Sequence, residues 1–176
     1  MKKCLVVVDY QNDFVDGSLG FEDATKLDKP IYDKITEYVK NNEDVYFTLD
    51  THYENYLETV EGKKLPITHC IKNTNGHNIY GMVGSLTSVA KEIIEKDTFG
   101  SIDLAIILKN EEYEEITFCG LVSNICVFTN AVMAKTMLPN SKIIVDASLV
   151  SSNDLNLQNK SFDILENLHI EVINRK

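Results

Sequence analysis

The chain has 176 residues, and its 17 Lys plus Arg against 27 Asp plus Glu leave a formal net charge of −10. That length suits one domain, since a domain typically runs to roughly 100–200 residues. With 44% hydrophobic residues, 8 Gly and 3 Pro, the composition excludes collagen-like, low-complexity and disordered chains. No stretch clusters the Lys and Arg that phosphate neutralisation needs, which argues against nucleic acid or an anionic membrane as partner and for a small molecule.

In chain order, the first expected strand runs from Cys4 to Asp9. Its apolar core is too short for a signal peptide, and nothing approaches the ~18 apolar residues of a membrane span. Lys29 to Asn41 carries Ile31, Ile35, Tyr38 and Val39 at helical spacing behind Asp28 and Pro30, which suit a helix start. A second strand is expected from Asp44 to Asp50, followed by the long segment Thr51 to Gly84, which has no clear element of its own. Loops longer than about 12–15 residues in a compact domain are usually functional or disordered. This one holds three of the four histidines together with Tyr53, Tyr56 and Tyr80, so it is too aromatic for a spacer.

Ser85 to Lys96 reads as a helix with Leu86, Val89, Ile93 and Ile94 on one side and Ser85 as its cap. Further helices are expected over Ser101 to Asn110, Ile125 to Leu138 and Asp154 to Leu168, and further strands over Glu115 to Gly120, Lys142 to Asp146 and His169 to Ile173. Continuous apolar runs of this kind suit strands buried on both faces of a parallel sheet. Their alternation with helices predicts an α/β fold, a three-layer α/β/α sandwich around a mainly parallel sheet. The four cysteines, Cys4, Cys70, Cys119 and Cys126, form no C-x-x-C pair, so reduced thiols and a cytoplasmic setting are expected.

Asp9 closes the first strand, at the carboxyl edge where open α/β sheets place ligands; a strand-terminal Asp also caps turns. Cys126 follows another strand near a helix start, where the helix dipole favours thiolate and free backbone N–H groups can bind an oxyanion. A lone cysteine is more often a small buried hydrophobe, which fits Cys4 and Cys119. Cys70 is a ligand or merely a neighbour. Asp50-Thr51-His52 places carboxylate and imidazole on one side of an extended chain, with Glu61 and His69 as further donors. Such a mixed set suits Zn²⁺, or Mn²⁺ or Fe²⁺ with added waters. Lys96, read as a helix C-terminal residue, is ordinarily a solvated dipole partner. His77 and His169 are read as surface or satisfied residues.

Asp9-Tyr10-Gln11-Asn12-Asp13-Phe14, Lys96 before Thr98-Phe99-Gly100-Ser101, and Gly120 to Val127 together resemble the isochorismatase-like cysteine hydrolases. The three motifs stand in the family's order and span nearly the whole chain, which the resemblance treats as a single domain, residues 1–176. Asp50-Thr51-His52 and the stretch from Glu61 to Cys70 look like the metal-binding loop of the family's nicotinamidase branch. The resemblance implies a catalytic triad of Asp9, Lys96 and Cys126, an oxyanion hole from the backbone of Val122 and Cys126, and a cis peptide before Val122. It further implies ring contacts from Phe14 and Phe99 to a small aromatic amide. A divalent metal, zinc foremost, would be held by Asp50, His52, His69 and Glu61, with Glu58 as Glu61's rival. Family members often form homo-oligomers. Another small-amide hydrolase of the fold, or a zinc or redox-sensing module, are the other readings.

Overall fold

The computed structural model describes residues 2–175. Its frame is six parallel strands, β1 Lys3–Val8, β2 Asp44–Asp50, β3 Glu92–Lys96, β4 Glu115–Leu121, β5 Lys142–Ser151 and β6 Glu171–Ile173, in the spatial order β3-β2-β1-β4-β5-β6. Side chains alternate across each strand, and β1 shows the result. Cys4, Val6 and Val8 join one buried cluster while Leu5 and Val7 join the other. Strands buried on both faces explain the unbroken apolar runs of β1 and β4.

The helices are α1 Asn12–Val15, α2 Glu22–Thr25, α3 Asp28–Lys40, α4 Val60–Lys64, α5 Gly81–Gly84, α6 Ile102–Asn110, α7 Phe128–Met137 and α8 Leu155–Asn167. Ile31, Ile35 and Tyr38 of α3 pack on the face of Leu5 and Val7. Leu104 and Leu108 of α6, Ala131 and Ala134 of α7, and Phe162 and Leu165 of α8 cover the other. The expected three-layer α/β/α sandwich is therefore present. Ser101 and Asp154 cap α6 and α8 by accepting from the N–H groups of Leu104 and Leu157. Asp28 instead accepts from the N–H groups of Met82 and Val83 at the start of α5, tying the long loop to α3.

One expected element is wrong. No helix spans Ser85 to Lys96: a short turn, Thr87–Val89, leads into β3. Ile94 and Lys96 are the buried members of that strand, and among the described residues it pairs only with β2. A half-exposed edge strand puts its apolar residues at spacings that overlap those of a short amphipathic helix. Ser85 caps nothing there; its hydroxyl donates to Met82 O. Lys96 accordingly leaves the end of a strand, and the dipole-partner reading falls. The segment from Thr51 to Gly84 contains only single turns, α4, α5, Tyr56–Glu58 and Asn75–His77, held by bridges such as His52 with Ile71 and Gln11 with Ile79.

The strand order reverses between β1 and β4, the neighbours at which chain connections leave to opposite sides, and open α/β sheets bind ligands outside such a point. The two strands approach closely there. Gly120 has φ +107°, and a side chain on it would collide with the carbonyl oxygen of Val8, so the position demands glycine.

Candidate active site

Four strand ends deliver the reactive groups. Asp9 follows β1 in the left-handed region, φ 45°, a conformation in which Asp is enriched among non-glycine residues. Its carboxyl is fully buried and accepts a hydrogen bond of 2.6 Å from Thr48 Oγ1. Thr48 lies two residues before Asp50 on β2, on the same side of the strand. Lys96, at the end of β3, places its Nζ 2.6 Å from Asp9 Oδ2, 3.8 Å from Cys126 Sγ and 3.4 Å from Asp50 Oδ1. Its ammonium also donates to Thr98 O at 2.9 Å. Asp9, Lys96 and Cys126, 30 or more residues apart in sequence, thus meet around one ammonium.

Cys126 sits in a π-helical turn, Ser123–Val127, between β4 and α7. The peptide joining Leu121 to Val122 is cis, as the resemblance implies. Ser123, in the same turn, donates to Gln158 Oε1 of α8 at 2.9 Å. The expected low thiol pKa does not hold. Burial pushes the Cys126 thiol well above its ordinary value; Lys96 opposes the rise, and Asp9 and Asp50 add to it. Proximity to a helix start is a partial charge in the first turn, too weak against full desolvation. Burial also raises the Asp9 carboxyl against the pull of Lys96. Lys96 would be lowered by burial, but the neighbouring carboxylates, Asp9 foremost and then Asp50, hold it up, so it stays an ammonium.

Beside this cluster, Asp50, His52 and His69 bring one donor atom each within 4.8 Å of one another. Asp50 Oδ2 lies 3.1 Å from His52 Nε2 and 3.4 Å from His69 Nε2. His69 Nδ1 contacts Ile67 O at 2.8 Å, so this nitrogen carries the proton and Nε2 is left with a lone pair towards the cluster. Glu61, on α4, lies 3.8 Å from both imidazole Nε2 atoms. Its rival Glu58 is exposed, and neither glutamate is among the three clustered donors. Burial alone would raise Asp50, yet His52, His69 and Lys96 hold its carboxyl well below the usual range. Two imidazoles and two carboxylates converging from loop and strand suit a borderline divalent cation. Cys70 is a neighbour: its N–H donates to Asp13 Oδ2 at 2.8 Å, and its sulfur is not among the clustered donors.

A cavity of about 220 Å³ joins the two groups, lined by Cys126 and Val122 as well as by Asp50, Glu61 and His69. It is smaller than the roughly 300–1,000 Å³ of pockets for drug-sized ligands, and fits one small ring. Phe14 and Phe99, both expected to meet such a ring, line it with Phe21 and Leu65; the Phe14 ring also lies against His69, centroids 5.5 Å apart. Tyr56 is buried with its centroid 4.7 Å from that of His52 and 4.9 Å from that of His69. His77 is satisfied, its Nε2 2.8 Å from Thr51 Oγ1.

Sequence reasoning missed three buried side chains: Gln11, Asn130 and Thr48, the last beside Asp9. Gln11 accepts from Asp50 N at 2.8 Å and donates to Asp50 O and His77 O at 2.9 Å each; its place in the Asp9–Phe14 motif was the available signal. Asn130 bonds the loop after Lys96 and the Cys126 turn, and nothing in its local sequence marks it.

The Isochorismatase domain family matches residues 3–176. A Bacillus subtilis (strain 168) protein described as an uncharacterized isochorismatase family protein, PncA, is 30% identical over 163 residues, spanning 86% of this chain and 87% of its own length. Among solved structures, the pyrazinamidase/nicotinamidase from Streptococcus mutans UA159 has TM-score 0.87 at 26% identity, over 98% of this chain and 100% of that one. The pyrazinamidase of Pyrococcus horikoshii in complex with zinc has TM-score 0.86 at 22% identity, over 99% of this chain and 100% of that one, a likeness of fold. With the family matched along nearly the whole chain, and the expected motifs brought to one edge of an all-parallel sheet, this chain belongs to the isochorismatase family.

Proposed function

We propose that the protein is a metal-dependent nicotinamidase, hydrolysing nicotinamide to nicotinate and ammonia through a thioester on Cys126. The observation that carries this reading is the shared cavity. One small chamber is lined by Cys126 and by Asp50, Glu61 and His69 together, which supports a small ring that carries a scissile carboxamide and a ligating nitrogen.

Cys126 Sγ attacks the carboxamide carbon as its thiol proton passes to Asp9. Because both groups are raised by burial, carboxylate and thiol lie closer in proton affinity to each other than the raised thiol does to an ordinary exposed carboxylate. The oxygen of the tetrahedral adduct meets the backbone N–H groups of Val122 and Cys126. Asp9 then returns the proton to the amide nitrogen, ammonia leaves, and the C–S bond remains as a thioester. Water adds to that carbon with Asp9 again accepting a proton, nicotinate departs and the thiol is restored. Throughout, Lys96 holds the negative charge of Asp9 and of the developing thiolate in place. Phe14 and Phe99 flank the ring. Asp50, His52, His69 and Glu61 would hold a divalent metal, which would supply a ligation point for the pyridine nitrogen. A cytoplasmic setting goes with the four free thiols, and one isochorismatase-like domain over residues 1–176 and homo-oligomerisation go with the family resemblance. Among the described residues, no helix is long and apolar enough to cross a membrane.

The test is ammonia release from nicotinamide by purified protein, before and after chelation and again after adding back zinc, manganese or iron. Release that falls on chelation and returns with metal is expected. Ammonia from a non-pyridine amide alone, insensitive to chelator, would identify another small-amide hydrolase of the fold; no release from any amide would point to a non-catalytic module.

A further inference from the structure

Asn130 lies in the first turn of α7 and is 2% exposed. Its Nδ2 donates to Cys126 O at 2.8 Å and to Phe99 O at 3.1 Å, and its Oδ1 accepts from Ser101 N at 3.0 Å. An amide has two donor hydrogens and two acceptor sites; both hydrogens and one acceptor site are committed here. The partners belong to two separate stretches, the turn that carries Cys126 and the loop that follows Lys96. That loop is otherwise anchored at Thr98 O by the Lys96 ammonium. It lies directly on α7, for a side chain at Gly100 would run into Thr129 and Met133. Phe99, whose carbonyl Asn130 holds, presents its ring to the cavity although it is 44% exposed. Little packing fixes a ring so open to solvent, so its position depends on the backbone beneath it.

We infer that Asn130 is a positioning residue that sets the Phe99 ring wall at a fixed distance from the Cys126 sulfur, so that an aromatic substrate is presented to the nucleophile in register. The inference rests on the reading of Cys126 as nucleophile and of the cavity as a ring site. Asn130 touches neither substrate nor reacting atoms; it acts through Phe99 and Ser101 on one side and Cys126 on the other.

The two sides can be separated. Threonine in a helix bonds back to the carbonyl four residues earlier, and in α7 Thr129 does so to Ile125 O at 2.7 Å and Thr136 to Val132 O at 2.8 Å. Asn130→Thr therefore retains the bond to Cys126 O and loses both bonds to the loop. Asn130→Ala loses all three. The experiment measures Cys126 alkylation by iodoacetamide and by a pyridyl bromomethyl ketone, each rate normalised to that of a free thiol; their ratio is the ring preference. The native protein is expected to favour the pyridyl reagent. In Asn130→Thr the iodoacetamide rate should stay within about twofold while the ring preference falls by about ten- to a hundredfold, the scale of a misplacement near 1 Å. In Asn130→Ala both should fall.

A lower melting temperature with the native ring preference in both variants would make Asn130 a structural pin and overturn the inference, as would a native protein with no ring preference. A native iodoacetamide rate in Asn130→Ala would overturn the Cys126 arm. None of these readouts needs turnover: a native protein that shows the expected pattern but does not hydrolyse nicotinamide refutes the substrate and leaves the positioning role standing.

Discussion

Replacing Cys126 by Ala is expected to lower kcat for nicotinamide by about 10⁴–10⁶-fold, the range seen when a nucleophile or its base is removed from a unit that works together. Metal content should be unchanged, since the sulfur lies outside the donor cluster of Asp50, His52 and His69. Asp9→Asn should fall in the same range, and the double variant little further. The pH profile adds a sign. Asp9 accepts the thiol proton only as a carboxylate, and burial raises it above its ordinary value. The acid limb of kcat/KM should therefore lie above the usual carboxylate range, with activity lost as pH falls through it and present above it. Asn at position 9 cannot titrate and should abolish that limb. Alkylation provides a second check. All four thiols are raised by burial, but Cys126 lines the cavity, so substoichiometric iodoacetamide near neutral pH should modify it first and inactivate the enzyme. Preferential modification of Cys70 with activity retained would move the nucleophile elsewhere.

His52→Ala should remove the metal and raise KM for nicotinamide by upwards of about 10–100-fold, the effect typical of merely supporting groups around a metal, with a smaller change in kcat. Benzamide, which has the carboxamide but no ring nitrogen, should be affected little, so the native preference for nicotinamide over benzamide should disappear. The His52 ring also packs on Tyr56 and His69. Glu61→Gln, which keeps shape and removes charge, should therefore weaken metal binding in the same direction without opening a hole. Metal content by elemental analysis and the two substrates' kcat and KM decide the matter. If both substrates slow alike, the metal polarises the carbonyl or a water as a Lewis acid, and the anchoring role is wrong.

What was legible in the sequence follows from what kind of contact each residue makes. β1 and β4 are enclosed by neighbours on both sides and by helices on both faces, so nearly every position had to be apolar and the runs stood out. β3 has one neighbour and alternates exposed with buried; that pattern is shared with a short helix, and misreading it put Lys96 on the wrong element. The candidate donors Asp50, His52, Glu61 and His69 were visible by residue type, because few side chains can hold a cation. Thr48 and Asn130 were not, since each matters only through a partner on another element, Asp9 and Phe99. The acidity of Cys126 was misjudged for a related reason: its helix position is local information, whereas its burial is made by the whole fold.

The lone neighbour of β3 has a bearing on how the protein would fail. Segments with few contacts open locally at lower free energy than the body of a domain, and an outermost strand is where such opening begins. Lys96 leaves with β3, and its carbonyl also accepts from Thr51 N at 2.8 Å, the residue between Asp50 and His52. A fraying excursion at this border would thus withdraw the ammonium from Asp9 and slacken the donor cluster at once, while β2, β1, β4, β5 and β6 stayed paired. Local opening at this border would therefore cost activity before the sheet as a whole came apart.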